Sequence, residues 1–363
     1  MNLVIKIGTA ALSRSDGAPD PVLLGALAGE IAALKRAGHD VILVSSGAVG
    51  TGRAMVRQHE PLRNCEQVAE RQILAALGQA RLMALYQELL APHKMMVAQI
   101  LLTKQDFRTR DHHKHIGRLF ANLREQPHIL PIVNENDSVA ITELMFTDND
   151  ELAGLIAAMM NVDRLLILSH VAGVYDRPPD EAGAAIIPVI DWGKKDDAPS
   201  TVGKSKSGRG GMTSKLSIAH KMAALGIYTH IASARAPSVI ENILRDNNPG
   251  TTVMPLPGKR NAVKRWLASE VNMAPAAVTV NACLADILRD PKQTVSLLPV
   301  GLVAVDGDFE KGDLVKIVDE AGKSLALGVA RYGAGKLRGA LGKKQQPVFI
   351  HYDQLHRVTA NAA

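Results

Sequence analysis

The 363-residue chain is too long for one ordinary hydrophobic core, so about two domains are expected. Its apolar fraction of 47% is that of a folded globular protein, and a net charge of +6 suits small anions as well as nucleic acid, so charge alone excludes neither partner. No apolar run approaches the roughly 18 residues of a membrane span, no basic leader precedes "MNLVIKIG", and Cys65 and Cys283 lack metal-ligand spacing; a soluble cytoplasmic protein with buried free thiols is expected.

In chain order, "LVIKI" (3–7) is the first strand-like run. A helix follows, with Asp20 as N-cap, Pro21 behind it and Gly38 as its stop. "VILVS" (41–45) is the second strand. Short apolar runs at 95–102, 129–133, 164–169 and 228–232 then alternate with helical patterns near 66–90, 108–125, 150–161 and 213–225. Continuous apolar strands separated by helices predict an α/β fold, a mostly parallel open sheet flanked by helices on both faces. In such sheets ligands sit beyond the carboxyl ends of the strands, so the informative residues should lie just after each run.

After about Pro257 the pattern changes. Short β-like runs, "SLLPVGLVAV", "DLVKIVD", "SLALGVARY" and "PVFIHYD", are broken by turns such as "VDGDFEKGD" and "DEAGK". The expected division is a catalytic domain over 1–256, a Pro- and Lys-rich linker over 257–273 and a small β-rich domain over 274–363.

Lys6 lies inside the first strand, with Gly8 and Thr9 directly after it. A lysine in a buried strand needs a counter-ion; the alternatives are that it reaches out at the strand end or sits on a sheet edge. After the second strand, the small residues of "SSGAVGTG" (45–52) let backbone amides approach a ligand, and a following helix N-terminus favours an anion. "VNENDSVA" (133–140) and "TDNDELAG" (147–154) gather Glu135, Asn136, Asp137, Asp148, Asn149 and Asp150. Turns and helix caps explain one or two of these residues, and the others suit a ligand carrying positive charge, such as an amino acid's ammonium.

"SGRGGMTSK" (207–215) is glycine-rich and ends in Lys215, but Met212, Thr213 and Ser214 separate Gly211 from the lysine, so it is not a Walker A loop. Lysines and glycine amides for phosphates, with Asx residues for an ammonium, together point to phosphoryl transfer, which relies on positioning and electrostatic stabilisation. A carboxylate acceptor, ionised at neutral pH, would need no general base.

The whole chain resembles the glutamate 5-kinase family, whose members have an amino-acid-kinase fold and, in the two-domain form, a C-terminal PUA domain. The resemblance is carried by "VIKIGT", "VSSGAVGTGR", "LAALGQARL", "PIVNENDSVA", "TDNDELAGLIA", "LILSHVAGVYD" and "GRGGMTSKL", in that order, and it extends through "SLLPVGLVAVDGDFEKGDLV". It implies ATP and Mg2+ as cofactors and L-glutamate as acceptor, in the first step of proline biosynthesis, with proline as feedback inhibitor and a homo-oligomeric enzyme. By the same resemblance Lys6 and Lys215 contact the ATP phosphates, and Asp150 orients the two lysines. Ser46, Gly47, Ala48, Asp137, Asp148 and Asn149 fall at glutamate-binding positions. Gly8, Thr9, Ser169, His170, Arg209, Gly210, Gly211, Met212, Thr213 and Ser214 fall where the family holds the nucleotide. Three positions depart from its pattern: Ser169 and His170 stand where Thr and Asp are common, and Ala10 where Ser is frequent.

Acetylglutamate, aspartate, uridylate and isopentenyl phosphate kinases are alternatives within the fold; a phosphate-bearing acceptor would call for Arg or Lys where Asp137 and Asn149 sit, which argues against the last two. The histidines of "DHHKHIG" (111–117) fit a helix start better than a zinc site, and no metal ligands are assigned. The polar stretch 193–211 is expected to act as a lid over the nucleotide. From residue 276 onward 11 Lys and Arg face 9 Asp and Glu, with "KLRGALGKK" as the sole basic cluster, so nucleic-acid binding by this region has little support.

Overall fold

The computed structural model describes residues 1–59, 62, 66–107, 110–139, 146, 148–193, 211–256, 276–290 and 293–357. The chain forms two compact units, Met1–Thr103 with Arg118–Gly258, and Lys104–Gly117 with Lys259–Ala363. The expected linker, 257–273, lies outside the described residues, as do Cys65 and most of the expected lid.

In the larger unit eight strands form one sheet: β1 (Asn2–Ile7), β2 (Asp40–Ser45), β3 (Met96–Leu102), β4 (Ile129–Glu135), β5 (Arg164–Ser169), β6 (Val189–Ile190), β7 (Tyr228–Ser233) and β8 (Thr251–Val253). Their order is β3-β4-β2-β1-β5-β7-β8-β6, and every pairing is parallel except β7 with β8. The six strands expected from sequence are all present. The two that were not expected, β6 and β8, have two and three residues, too few to carry a periodic pattern.

The helices are α1 (Thr9–Leu12), α2 (Pro21–Arg36), α3 (Ala48–Val56), α4 (Gln67–Leu90), α5 (Arg110–Arg124), α6 (Asn149–Met160), α7 (Met212–Ala224) and α8 (Val239–Leu244). Asp20 caps α2 by accepting from the Val22 and Leu23 amides, Pro21 opens it, and Gly38 leaves it with φ +82°, as the sequence predicts. Side chains alternate across β1. Leu3, Ile5 and Ile7 join a core with α2, α4 and α8, whereas Lys6 meets α6 on the opposite face. Because β1 pairs with β2 on one side and β5 on the other, and Lys6 is buried, both the edge and the strand-end alternatives for this lysine are excluded.

The second unit has a five-stranded sheet in the order β10-β9-β11-β12-β13, made of β9 (Ala276–Val280), β10 (Leu302–Asp306), β11 (Leu314–Val318), β12 (Ser324–Val329) and β13 (Leu355–Arg357). Two short helices accompany it, α9 (Ala282–Arg289) and α10 (Ala334–Arg338). Alternate residues of the strands, among them Val278, Val280 and Ile317, fill its core with Phe349 and Ile350. "PVFIHYD" is not a strand: its apolar pair is buried through a single bridge, Ile350 to Leu297, and the strand comes later as β13. Cys283, in the first turn of α9, is exposed, which corrects the expectation of a buried thiol.

Candidate functional site

The carboxyl ends of β1, β2, β4 and β5 open onto a cleft of about 1200 Å3 in the larger unit. Of the residues singled out in the sequence, Lys6, Gly8, Thr9, Ser46, Gly47, Ala48, Asp137, Asp148, Asn149, Ser169, His170 and Lys215 all line it. Asp150 lies behind that lining, fully buried, and Gly211 to Ser214 belong to the neighbouring start of α7. Arg209 and Gly210 lie outside the described residues.

Three charges organise the floor. Lys6 Nζ stands 2.7 Å from Asp150 Oδ1, and Lys215 Nζ stands 2.9 Å from Asp150 Oδ2. The lysines come from different elements, β1 and α7, and α6 delivers the carboxylate between them. Burial alone would push the Asp150 carboxyl upward, but Lys6 and then Lys215 outweigh it and hold the group below its ordinary value. One carboxylate therefore fixes two ammonium groups side by side, an arrangement that repulsion would otherwise forbid.

Glycines make room around these charges. Gly8 donates its N–H to the Leu168 carbonyl at 3.0 Å, and a Cβ on it would come within 3.3 Å of Lys6 Nζ. Gly47, at φ +102°, is the N-cap of α3, a conformation that glycine adopts without strain. Farther back, α3 and α4 touch backbone to backbone: a Cβ on Gly78 would lie 1.8 Å from the Ala48 carbonyl oxygen. That contact sets where the Gly47–Ala48 amides stand. Gly211 caps α7 with no side-chain hydrogen bond, and Met212 and Thr213 belong to the first helical turn.

On the other side of the cleft the polar groups are carboxylates and amides. Asp148 caps α6 through the Asp150 and Glu151 amides and accepts from Ser214 Oγ at 2.6 Å. Asn149 Nδ2 donates to Ser46 Oγ at 2.9 Å and to Asn134 Oδ1 at 2.8 Å. Asp137 accepts from Arg71 at 2.7 Å. Glu135, which also lines the cleft, accepts from the Phe146 amide at 2.7 Å.

Asn134 and Arg71 were not singled out in the sequence. Asn134 stands in the quoted "VNENDSVA", one residue before the end of β4, and its position past the last apolar residue was the available signal. Arg71 sits on α4, far from any strand end, and only the tertiary fold brings it to Asp137.

The model of the amino acid kinase family matches residues 1–233, and that of the PUA domain matches residues 276–348. The chain is 43% identical to a glutamate 5-kinase of Chlorobaculum tepidum, over 98% of this chain and 97% of that one. A glutamate 5-kinase of Bacteroides thetaiotaomicron is 38% identical over 98% of both chains. Among solved structures, the carbamate kinase from Giardia lamblia bound to AMP-PNP superposes with a TM-score of 0.51 at 17% identity, covering 70% of this chain and 98% of that one, a likeness of fold.

Proposed function

The chain belongs to the amino acid kinase family, its nearly full-length relatives being glutamate 5-kinases, and on that premise we propose that it transfers the γ-phosphoryl group of ATP to the γ-carboxylate of L-glutamate. The products are L-glutamyl 5-phosphate and ADP, in the first step of proline biosynthesis. The observation that carries the reading is the pair of buried ammonium groups held by Asp150 at the floor of a cleft whose other wall is Asx-rich.

A carboxylate oxygen of the acceptor attacks phosphorus, the bond from phosphorus to the bridging oxygen of ADP breaks, and ADP leaves with the electron pair. No proton moves, because a free γ-carboxyl titrates near ~4.3 and is already ionised. Lys6 and Lys215 stabilise the negative charge spread over the migrating group, with the start of α7 beside them for the nucleotide phosphates. Both oxygens of Asp150 are engaged by lysines, which makes it an organiser of cations rather than a metal ligand; Mg2+ enters as Mg-ATP, part of the substrate. On the acceptor side, Ser46, Asp137 and Asn149 hold the glutamate, with Asp148 beside them. Gly8, Thr9, Ser169 and His170 take the nucleotide.

Feedback by proline, homo-oligomerisation and a cytoplasmic setting are further parts of this reading and rest on the family alone; no described helix is long and apolar enough to cross a membrane. The test is an assay with Mg-ATP, L-glutamate and hydroxylamine. Accumulation of γ-glutamyl hydroxamate is expected. Turnover with another acceptor and none with glutamate would move the assignment.

A further inference from the structure

We propose that Gln79, on α4, is a positioning residue that, by accepting from Asn134, helps the Glu135 N–H hold the amide orientation in which Asn149 Oδ1 is left for the acceptor, and thereby favours acceptors bearing an α-ammonium group. The inference rests on the reading of this cleft as a glutamate site and deepens it.

The polarity of the whole amide chain follows from one backbone group. The Glu135 N–H can only donate, and it donates to Asn134 Oδ1 at 2.9 Å. Asn134 must then present its NH2 on the other side, where it donates to Gln79 Oε1 at 2.9 Å. That leaves the Gln79 NH2 to reach Gln99 Oε1, at 3.4 Å. In the opposite direction Asn134 Oδ1 also accepts from Asn149 Nδ2, which donates its second hydrogen to Ser46 Oγ. Both amide hydrogens of Asn149 are thereby used. Its Oδ1 is buried with no hydrogen-bond partner among the described residues, in a side chain that lines the cleft.

A buried acceptor without a donor is unfavourable, and a ligand N–H relieves it; an ammonium does so most strongly. Reversing Asn134 would set two NH2 groups face to face and orphan the Glu135 N–H. Gln79 supplies the acceptor that makes the observed orientation complete. It is 8% exposed and does not line the cleft, so it acts through Asn134 and Asn149 rather than on the substrate.

Gln79→Met keeps the volume and removes the acceptor. The measurement compares KM for L-glutamate with the inhibition constant of glutarate, which has the carboxylates but no ammonium, using the full-length chain. With Gln79→Met the glutamate KM should rise about tenfold, the loss of one hydrogen bond to a charged group, while the glutarate constant, the Mg-ATP KM and kcat stay within about threefold. Gln79→Glu, which keeps an acceptor in place, should restore the glutamate KM to within about threefold of the parent.

Equal loss of glutamate and glutarate, or loss of neither, would overturn the proposal. A neutron structure of the unsubstituted protein gives a reading independent of variant folding: deuterium on the Asn149 atom facing Asn134 supports the relay, and the reverse orientation sinks it. Failure of the glutamate reading itself would appear elsewhere, as absence of hydroxamate with the unsubstituted enzyme.

Discussion

The two units fill their interiors differently. All of the buried polar and charged side chains among the described residues lie in the larger unit, with the single exception of Asp319. Several cluster where strands end: Ser45, Ser46, Asn134, Glu135 and Ser169, with Lys6, Asp150 and Lys215 beneath them. In the second unit, Asp319 closes a turn by accepting from the Ala321 and Lys323 amides and pairs with Arg289 at 2.6 Å, while the rest of the interior is apolar. Replacing a buried ion cluster by apolar side chains is often neutral or stabilising, so the larger unit carries a construction that folding alone does not favour. The difference separates a unit built around chemistry from one built around its own core.

This contrast can be broken most directly at the lysines. Lys6→Ala and Lys215→Ala should each lower kcat by roughly 10²–10³-fold, the cost of removing one preorganised charge from a transferring group, with far smaller effect on the glutamate KM. Steady-state kinetics with Mg-ATP checks this, and retained turnover in either variant would remove that lysine from the mechanism.

A smaller effect sharpens the contrast through acid. Burial, and then the nearby Arg164, push the His230 imidazole down to about 3. The unfolded chain takes up this proton near pH 6.5 and the folded chain does not, so the stability due to neutral His230 is complete above 6.5 and is lost as pH falls toward 3. His230→Asn should flatten the fall of unfolding free energy across that window by at most about 1.4 kcal/mol per pH unit, read from urea titrations at several pH values. An unchanged slope would show that other groups govern acid unfolding.

The smallest effect falls in the second unit. Asn281 caps α9 by accepting from the Leu284 amide at 2.9 Å. Asn281→Ala should cost about 1 kcal/mol of stability and leave kcat unchanged. A loss of turnover would tie this unit to the reaction and erase the distinction.

Much of the cleft was legible because the chemistry sits where strand patterns stop. "LVIKI" placed Lys6 in a buried strand, and the two Asx clusters and the glycine-rich "SGRGGMTSK" each lie next to a strand or helix end. The same logic failed where a contact joins surfaces with no periodic signal. Arg71 and Gln79 lie within the 24 residues of α4, and nothing in their spacing distinguishes them from other polar positions on that helix. Nor could the pattern of "PVFIHYD" tell a strand from an apolar pair anchored by one bridge.

The sequence by itself determined the alternation of strands and helices, the identity of the charged and small residues at the strand ends, and the change to a β-rich region, since these depend on local periodicity and on steric rules of the backbone. Tertiary structure alone decided that Lys6 and Lys215 share one carboxylate, that Arg71 meets Asp137, and which way each amide of the Gln79 to Asn149 chain points. Those outcomes depend on distances between residues far apart in the chain, and hydrogen-bond polarity passes from one partner to the next only after the fold has brought them together.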